Sequence, residues 1–440
     1  MPADTDLAAD DTTRALERAM NAHAAGRFDE AEQAYAQLLQ RAPQPPDALH
    51  LLGVLQAQRG RLERAAELIA AAIAARPGEA MFHNNFGNVC LERGQLDAAE
   101  ASYLRAIELD PGRYDALNNL GILLGRRGKL DDAEKVLAKV VELAPGYADA
   151  RQNLANLYLR TGRVGDAVQQ CIDGLIDSPR DPMLRRVLGM AYTSLGRRDE
   201  AIAVWRAWLD VEPDNPLPRF HLHACTGEGV PERAPDDYVT RVFDRFARSF
   251  DAKLAQLGYR APALVAEAVA RHAGPPAGTL DLLDAGCGTG LCGPLLAPWA
   301  RRLEGVDLSP GMLQQARARG VYQALEAGEL VAHLRARGAA WDLVASADTL
   351  CYFGPLETFA AAAHHALRAG GLLVFTVEAH ADQAGQPEYR LQANARYSHR
   401  AGYVDAVLRS AGFTPLEATP SVLRSEAGQP VPGLLLAARA

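Results

Sequence analysis

A spacing of 34 residues runs through the first half of the chain and constrains its fold more than any other feature. Glycine, proline and alanine each return at this interval over six copies. The glycines are Gly26, Gly60, Gly94, Gly128, Gly162 and Gly196; the prolines are Pro43, Pro77, Pro111, Pro145, Pro179 and Pro213; the alanines are Ala31, Ala65, Ala99, Ala133, Ala167 and Ala201. Markers that keep one register over six copies indicate one structural unit repeated along the chain.

The residues around each repeated glycine predict a pair of helices. The glycine lies between two helical patterns, where the turn requires a left-handed residue, and the proline ends the second helix. A small residue seven positions before each glycine predicts close helix approach, and a large residue nine positions after it fills the gap. The small residues are Ala19, Gly53, Gly87, Gly121, Ala155 and Gly189; the large ones are Tyr35, Ile69, Tyr103, Leu137, Cys171 and Trp205. This pattern resembles the tetratricopeptide repeat over about residues 12–215, which implies a right-handed solenoid with a concave groove.

Asparagines lie nine residues before three successive repeat glycines, at Asn85, Asn119 and Asn153. The first helices of such repeats line the groove, so we expect these amides to form a row along it. Amides both donate and accept hydrogen bonds, and the row is therefore predicted to bind an extended peptide. The asparagine ladder of repeat-containing protein O-glycosyltransferases is similar and implies the same. The alternative is a solvated polar face that binds nothing.

Composition and charge exclude several classes of function. The formal net charge is −8, so we expect no nucleic-acid partner. The acidic stretch 1–13 is not typical of a secretory signal, and apolar runs such as 68–75 are too short to span a bilayer, so we expect no membrane partner. The six cysteines form no CxxC pair and no residues show metal-ligand spacing. We therefore expect a cytoplasmic protein without a metal site.

The pattern changes in the second half, where strands alternate with helices. We predict a repeat solenoid over 12–225, comprising six repeats and a capping helix at 216–225, then a linker at 226–238 and an α/β domain over 239–440. The predicted strands are 280–284, 302–306, 321–325, 342–346, 372–377, 413–418 and 434–438. The fold class is a doubly wound, Rossmann-like parallel sheet. The last two strands lie close in sequence and predict a hairpin, with the last strand antiparallel.

A glycine-rich loop follows the first predicted strand. The segment LDLLDAGCGTGLCG places Asp284 at the strand end, with Gly286, Gly288 and Gly290 directly after it. Glycines there allow the backbone to approach a ligand and turn into a helix. Asp307 ends the next strand, where a carboxylate can accept hydrogen bonds from ribose hydroxyls. These features predict a nucleotide-type cofactor.

Two families share features of this loop. Gly288, Gly290 and Gly293 spell the GxGxxG pattern of nicotinamide-dependent dehydrogenases. In that pattern the first glycine follows the strand directly, whereas Gly288 comes four residues after Asp284. The order of acid and then GxGxG resembles motif I of class I S-adenosylmethionine-dependent methyltransferases, and the segment VDLSPGML around Asp307 resembles their second motif. The closing hairpin also belongs to the methyltransferase fold.

The methyltransferase resemblance implies S-adenosylmethionine as cofactor and assigns residues to it. The cofactor residues would be Asp284, Gly286, Gly288, Gly290, Asp307, Met312 and Glu329. Asp284 would lie near the amino group, Asp307 would bind the ribose, and Met312 would pack against adenine, unless it is plain helix core. Glu329 would bind the adenine amine, with Glu326 as its rival.

The acceptor end of the site is assigned by position in the predicted sheet. Asp348 follows the fourth strand, where the methyl group would be presented, and we expect it to be catalytic. The segment RYSH follows the fifth strand as a loop, so Arg396 and Tyr397 are expected to contact substrate. His399 could accept a proton from the nucleophile, because histidine titrates near neutral pH. The alternative for His399 is that it only orients the loop.

The chain also resembles bacterial proteins that fuse tetratricopeptide repeats to such a domain. The segments 238–262, 395–404 and 422–436 carry this resemblance together with motif I. It implies an enzyme that methylates a protein or small-molecule acceptor while the repeats recruit a protein partner. The alternative is a non-catalytic scaffold with a degenerate methyltransferase domain. The intact Gly286, Gly288, Gly290 and Asp307 favour the enzyme.

Overall fold

The computed structural model describes residues 3–40, 44–383, 385–426 and 428–440; the predicted marker Pro43 lies outside them. The chain divides into two compact units, one ending at Val187 and one beginning at Leu188. The helices of the repeats are α1 (Ala3–Ala24), α2 (Phe28–Leu38), α3 (Pro46–Gln58), α4 (Leu62–Ala75), α5 (Ala80–Glu92), α6 (Leu96–Leu109), α7 (Tyr114–Arg126), α8 (Leu130–Leu143), α9 (Ala148–Arg160), α10 (Val164–Asp177), α11 (Pro182–Ser194) and α12 (Arg198–Leu209). Among the helices that the structure describes, none combines the length and the apolar character needed to cross a bilayer.

The packing within each repeat confirms the predicted helix pairs. The turn glycines have positive φ, for example 73° at Gly94 and 77° at Gly128, a conformation that favours glycine. A Cβ atom at Gly87 would lie 2.5 Å from the Tyr103 ring, and one at Gly121 would lie 2.6 Å from Leu137. The small residue before each of these turns therefore accommodates the large residue after it.

The second unit begins with the end of the repeats and continues into the α/β domain without an extended connection. The helix α13 (Pro216–Thr226) matches the predicted helix at 216–225. Phe220 on α13 is buried against Tyr238, with ring centroids 4.6 Å apart. Backbone hydrogen bonds attach the segment 226–238 to the α/β domain. The Ala234 N–H donates to the Tyr352 carbonyl at 2.8 Å, and the Gly354 N–H donates to the Glu232 carbonyl at 2.7 Å.

The α/β domain contains a sheet of nine strands in the described residues. These are β1 (Leu280–Ala285), β2 (Ala300–Asp307), β3 (Ala324–Ala327), β4 (Trp341–Ser346), β5 (Leu367–Ala379), β6 (Tyr389–Leu391), β7 (Tyr397–His399), β8 (Thr414–Glu426) and β9 (Gln429–Arg439). The order is β3-β2-β1-β4-β5, with these neighbours parallel. β9 pairs antiparallel with both β5 and β8, which confirms the predicted closing hairpin.

Helices cover both faces of this sheet. They are α14 (Asp236–Phe246), α15 (Phe250–Gln256), α16 (Ala261–His272), α17 (Gly293–Leu296), α18 (Pro310–Ala318), α19 (Leu330–Arg335), α20 (Glu357–Ala366) and α21 (Ala401–Ser410). Successive strand residues alternate between two buried clusters, with Val344 and Leu373 in one and Leu343 and Leu372 in the other. Burial on both faces explains why these strands are apolar throughout.

The sequence prediction did not include β6 (Tyr389–Leu391), and two further strand assignments differ from it. β3 begins at Ala324 rather than at residue 321. Tyr397–His399 forms the strand β7 rather than a loop, pairing with β5 and antiparallel with β6. Three-residue strands are too short to show an alternating pattern, so their pairing depends on tertiary contacts that the sequence does not display.

Candidate functional site

The glycine loop after β1 needs glycine for two physical reasons. Gly286, Gly288 and Gly290 have φ values of 76°, 54° and 80°, which favour glycine. A Cβ atom at Gly286 would lie closer than 3.0 Å to Thr349, and one at Gly290 would lie 2.9 Å from the Tyr322 ring. A Cβ atom at Gly288 would meet nothing within 4 Å. The loop is thus packed against Thr349 at Gly286 and against Tyr322 at Gly290, and it is open at Gly288, which lines a cavity.

Asp307 connects the glycine loop to the start of α18. One carboxylate oxygen, Oδ2, accepts a hydrogen bond from the Gly288 N–H at 2.9 Å, and the other accepts one from the Ser309 N–H at 2.9 Å. Burial raises the pKa of Asp307, while these two backbone donors act in the opposite direction. The side chain lines the same cavity as Gly288, in the position predicted for the ribose-binding acid.

Asp284 ends β1 as a buried acid, with 1% of its surface exposed. Its Oδ2 accepts a hydrogen bond from the Tyr322 hydroxyl at 2.6 Å. Burial raises the pKa of Asp284, the Tyr322 hydroxyl lowers it and the neighbouring Asp307 raises it, so that the pKa is about 7. A carboxyl group with this pKa is only partly ionised at neutral pH, and a cationic ligand would favour its charged form.

The pKa of Asp284 predicts how stability depends on pH. Because the folded-state pKa of about 7 lies above the usual 3.8, the folded state holds a proton that the unfolded state loses, and wild-type stability falls as pH rises through this window. Asp284→Asn removes this loss and can still accept from Tyr322. We expect the unfolding free energy of the variant, relative to that of wild type, to increase by roughly 2–3 kcal/mol as the pH rises from 5 to 8. Denaturant unfolding of the ligand-free protein at both pH values measures it.

The exposed residue Asp405 provides the control for this pH experiment. It forms an ion pair with Arg409 on the surface of α21, where its side chain is 43% exposed. Asp405→Asn should show the same pH dependence as wild type. A pH dependence in Asp284→Asn that equals that of wild type would contradict the assignment of a raised pKa to Asp284.

The remaining predicted cofactor residues divide between the cavity wall and its support. Met312 and Glu329 line the cavity, whereas Gly290 and Glu326 are outside its lining. Glu329 caps α19, because its two carboxylate oxygens accept from Val331 N–H at 3.0 Å and Ala332 N–H at 2.7 Å. Glu326 forms an ion pair with Arg337, so the geometry favours Glu329 of the two.

One side of the cavity is formed by α14 and α15. These helices contribute apolar side chains to its lining, including Val239, Phe243, Phe250 and Leu254. Two acids attach the helices to the glycine-loop region. Asp244 accepts a hydrogen bond from the Gly311 N–H at 2.9 Å, and Asp251 accepts from the Thr289 hydroxyl and pairs with Arg319. The resemblance assigned no role to these acids, because the sequence does not show that α14 and α15 fold over β1 and β2.

The acceptor end of the cavity contains a buried ionic cluster. The guanidinium of Arg424 is 1% exposed and donates to Asp348 Oδ2 at 2.7 Å, to Glu426 at 2.7 Å and to Glu378. Arg396 pairs with both Glu378 and Glu426. Burial acts against ionisation of Glu426, but the two guanidiniums lower its pKa to about 2. Asp348, Arg396 and Arg424 all line the cavity, and this arrangement orients Asp348 rigidly.

The sequence did not predict a site role for Arg424. It lies on β8, about 75 residues beyond Asp348, and only the pairing of β8 with β9 brings the two together. A carboxylate cluster of Asp348 and Glu378 with Cys351 has the spacing of metal ligands. Arg424 already bridges the two carboxylates, which gives the cluster a cationic partner.

His399 and Tyr397 lie apart from the cavity lining. His399 is fully buried, its ring stacks on Tyr403, and its Nε2 is 2.9 Å from the Gly354 carbonyl. Burial lowers the pKa of His399 to about 4, so the imidazole is neutral at physiological pH. Tyr397 donates its hydroxyl hydrogen to the Pro231 carbonyl. These contacts support the structural alternative for His399, and we assign neither residue to catalysis or substrate binding.

The asparagine ladder forms hydrogen bonds between neighbouring repeats. Asn119 Nδ2 donates to Asn84 and Asn88, each at 3.0 Å, and Asn153 Nδ2 donates to Asn118 at 2.9 Å. Asn85 Nδ2 lies 2.9 Å from a ring nitrogen of His50. The three amides are half-buried in the first helices. Asn119 thus uses both of its N–H donors within the repeat stack, whereas Asn85 and Asn153 each use one there.

The two halves of the chain match different protein families. Residues 283–375 match a family described as a methyltransferase domain. Matches to tetratricopeptide repeats cover residues 16–80, 84–148, 126–189 and 182–207. The chain combines tetratricopeptide repeats with a class I methyltransferase domain. The glycine loop and Asp307 lie within the methyltransferase match, whereas Arg396 and Arg424 lie beyond it.

Individual relatives match one part of the chain each. Methyltransferase-like protein 27 from Homo sapiens is 40% identical over 116 residues, which are 26% of this chain and 46% of that protein. The chain therefore matches about half the length of this curated relative. Among solved structures, PilF from Pseudomonas aeruginosa is 18% identical over 46% of this chain and 93% of its own, with a TM-score of 0.41. A tetratricopeptide-repeat protein from Thermus thermophilus is 26% identical over 41% and 98%, with a TM-score of 0.37.

Proposed function

We propose that the methyltransferase domain transfers a methyl group from S-adenosylmethionine to a protein or small-molecule acceptor, and that the repeats recruit a protein partner. The observation that carries the proposal is a pair of carboxylates that line the cavity with the open glycine loop at Gly288: the buried Asp284 and the half-buried Asp307. They lie at the carboxyl ends of β1 and β2, where parallel sheets of this type bind their ligands.

The residues of the loop fit S-adenosylmethionine chemically. Asp307 has acceptor capacity beyond the two backbone donors that it binds, and the ribose hydroxyls would supply further donors. Asp284 is a buried acid whose hydrogen-bond donor is the neutral Tyr322 hydroxyl, so it suits the amino group of the cofactor. Gly288 leaves room for the cofactor, while Gly286 and Gly290 pack closely against Thr349 and Tyr322. Met312 and Glu329 would lie at the adenine.

S-adenosylmethionine supplies a methyl group already activated by its sulfonium, so the protein mainly has to align a nucleophile with it. In this proposal Asp348 contacts the acceptor and Arg424 holds Asp348 in place, while Arg396 pairs with Glu378 and Glu426. Arg233 and Ala234 line the cavity, so the segment 226–238 contributes to the catalytic domain proposed over 239–440. The six cysteines are unpaired, which agrees with the reducing cytoplasm that we propose as its location.

Methyl transfer is tested directly with a labelled cofactor. Purified full-length protein is incubated with S-adenosylmethionine carrying a labelled methyl group and with cell lysate, and the labelled species are identified by mass. We expect label on a protein or a small molecule that depends on the enzyme and is lost in Asp307→Ala. Tight binding of the cofactor without any labelled species would favour the non-catalytic scaffold instead.

The asparagine ladder provides a separate prediction for partner recruitment over residues 12–225. Replacing Asn85, Asn119 and Asn153 together by alanine should weaken partner binding by roughly 2–4 kcal/mol, because each amide contributes about 0.5–1.5 kcal/mol. Cofactor affinity should be unchanged, since the cofactor residues belong to the other unit. Quantitative pull-downs from lysate at fixed salt compare the variant with wild type, after circular dichroism has shown that the helices are intact.

Amides on the second helices of the repeats provide the matched control. Gln33, Gln37 and Gln169 are exposed on α2 and α10, and their triple alanine variant removes the same chemistry from outside the first helices. It should recover the same partners as wild type. If the Asn→Ala variant recovered the same amount of partner as wild type, the asparagines would be a solvated face that stabilises the repeat stack and binds no partner.

A further inference from the structure

Asp348 combines a strained backbone with a fixed position. Its φ is 56°, in the left-handed region that a residue with a side chain rarely adopts. The strain is held by a hydrogen bond from the Asp348 N–H to the Thr376 hydroxyl at 2.9 Å and by the ion pair with Arg424 at 2.7 Å. Backbone strain of this kind is concentrated at functional sites. Asp348 is thus held where a ligand in the cavity can reach it.

One oxygen of Asp348 has no protein partner among the described residues. Oδ2 accepts from Arg424, whereas Oδ1 is buried and receives no hydrogen bond. Of the described buried polar side-chain atoms without a partner, Asp348 Oδ1 is the one whose residue lines the cavity. A buried acceptor without a donor is unfavourable, so this atom is suited to a donor supplied by the ligand.

The charge around Asp348 favours a cationic donor over an anion. The buried cluster contains the carboxylates of Asp348, Glu378 and Glu426 and the guanidiniums of Arg396 and Arg424. With all five groups ionised, the cluster carries one excess negative charge; burial raises the pKa of Glu378, while Arg396 and Arg424 favour its charged form. A carboxylate acceptor would place another anion beside the unpaired Oδ1, whereas an amine would supply both an N–H donor and the missing positive charge.

Apolar side chains form much of the rest of the cavity lining. They include Phe243, Leu254, Leu257, Tyr352 and Phe353. Such walls bind aliphatic or aromatic groups by burying their surface and offer few hydrogen bonds. The acceptor group therefore belongs to a molecule, or to a side chain, whose body next to that group is apolar.

We propose that the methyl acceptor is an amine with an apolar body, and that Asp348 Oδ1 binds its N–H. This inference rests on the proposed methyl transfer and narrows its acceptor. The bound cation first gives one N–H proton to Asp348 Oδ1 and from there to solvent, which frees the nitrogen lone pair. That lone pair forms the new bond to the methyl carbon while the carbon–sulfur bond breaks and leaves its electron pair on sulfur. The products are the methylated ammonium, S-adenosylhomocysteine and one proton.

Matched sets of small molecules test the acceptor class by binding. The benzyl, 2-phenylethyl and 2-(indol-3-yl)ethyl groups are each used as the amine, the alcohol and the corresponding carboxylate. Affinities for the full-length protein are measured by calorimetry in the presence of saturating S-adenosylhomocysteine, which requires no turnover. We expect at least one amine to bind at least tenfold more tightly than its matched carboxylate.

Asp348→Asn tests the residue, with Asp405→Asn on the surface of α21 as control. Asp348→Asn should weaken amine binding roughly tenfold to a hundredfold and leave S-adenosylhomocysteine affinity within about twofold, whereas the control should bind like wild type. Equal or tighter binding of carboxylates by wild type, no amine binding in any set, or unchanged amine binding in a folded Asp348→Asn variant would each overturn the inference. Should Asp348→Asn fail to fold, the wild-type comparison decides alone.

The failure of this inference is distinguishable from failure of the proposed function. A wild-type protein that does not bind S-adenosylhomocysteine contradicts the function itself, while one that binds it and prefers carboxylates contradicts only the acceptor class. The labelled-methyl incubation with lysate separates the two sources of an amine. Label on a protein lysine or N-terminus identifies a protein acceptor, label on a low-mass amine identifies a small molecule, and label on oxygen or carbon contradicts the inference.

Discussion

Replacing Gly286 by alanine is expected to lower the affinity for S-adenosylmethionine about a hundredfold. The residue has a φ of 76°, and a Cβ atom there would lie closer than 3.0 Å to Thr349. The left-handed backbone costs about 1–2 kcal/mol for alanine, and the overlap costs about 1–3 kcal/mol more. A loop that moves to relieve these costs loses the shape that brings Gly288 next to Asp307. Titration calorimetry of the full-length variant measures the loss.

Gly320 provides a control with the same backbone strain and no overlap. Its φ is 68°, and a Cβ atom there would meet nothing within 4 Å. Gly320→Ala should therefore lose about 1–2 kcal/mol of stability while it binds the cofactor like wild type. Unchanged cofactor affinity in a folded Gly286→Ala variant would show that the close packing against Thr349 is not needed for the site.

Replacing Arg424 by alanine is expected to destabilise the second unit by roughly 3–5 kcal/mol, the usual effect of removing one partner from a buried ion pair. The guanidinium is 1% exposed and binds Asp348, Glu378 and Glu426. Without it, Glu378 and Glu426 would keep Arg396 as their cationic partner, and Asp348 would lose the ion pair that it forms with Arg424. Denaturant unfolding at pH 7 measures the change in unfolding free energy.

Arg409 on α21 is the control that distinguishes the effect of burial on stability from the effect of ion pairing. It also binds a carboxylate, that of Asp405, through two hydrogen bonds, but its side chain is 63% exposed. Arg409→Ala should change stability by about 0.5 kcal/mol at most. Similar small losses in both variants would mean that the cluster around Asp348 is solvated, and the argument for a ligand donor at Oδ1 would lose its basis.

The repeats could be predicted in detail because their information is local and occurs six times. Gly87 and Tyr103 lie 16 residues apart, and the 34-residue register showed which small residue faces which large one. The hydrogen bonds of Asn119 to Asn84 and Asn88 could not be predicted in the same way. They depend on the rotation between neighbouring repeats, which a marker spacing does not specify.

The cofactor end of the site was predictable for a similar reason, and the acceptor end was not. Asp284, the glycine loop and Asp307 belong to consecutive elements of one βαβ unit, so their proximity follows from topology. His399 lies at a plausible sequence position, but burial of its ring is a property of the tertiary packing around Tyr403. Arg424 reaches Asp348 only through the closing hairpin, and a single arginine in a strand gives no signal of such a partner.

The proposed function depends on the binding of S-adenosylmethionine by the glycine loop. Calorimetric titration of the full-length protein with S-adenosylmethionine, and separately with NADH, tests it most directly. We expect S-adenosylmethionine to bind with a dissociation constant in the micromolar range, about 8 kcal/mol, and Asp307→Ala to weaken it by about 1.5–3 kcal/mol. NADH should not bind. Binding of NADH but not of S-adenosylmethionine would contradict the proposed cofactor. Undiminished binding of S-adenosylmethionine by Asp307→Ala would contradict the role proposed for Asp307.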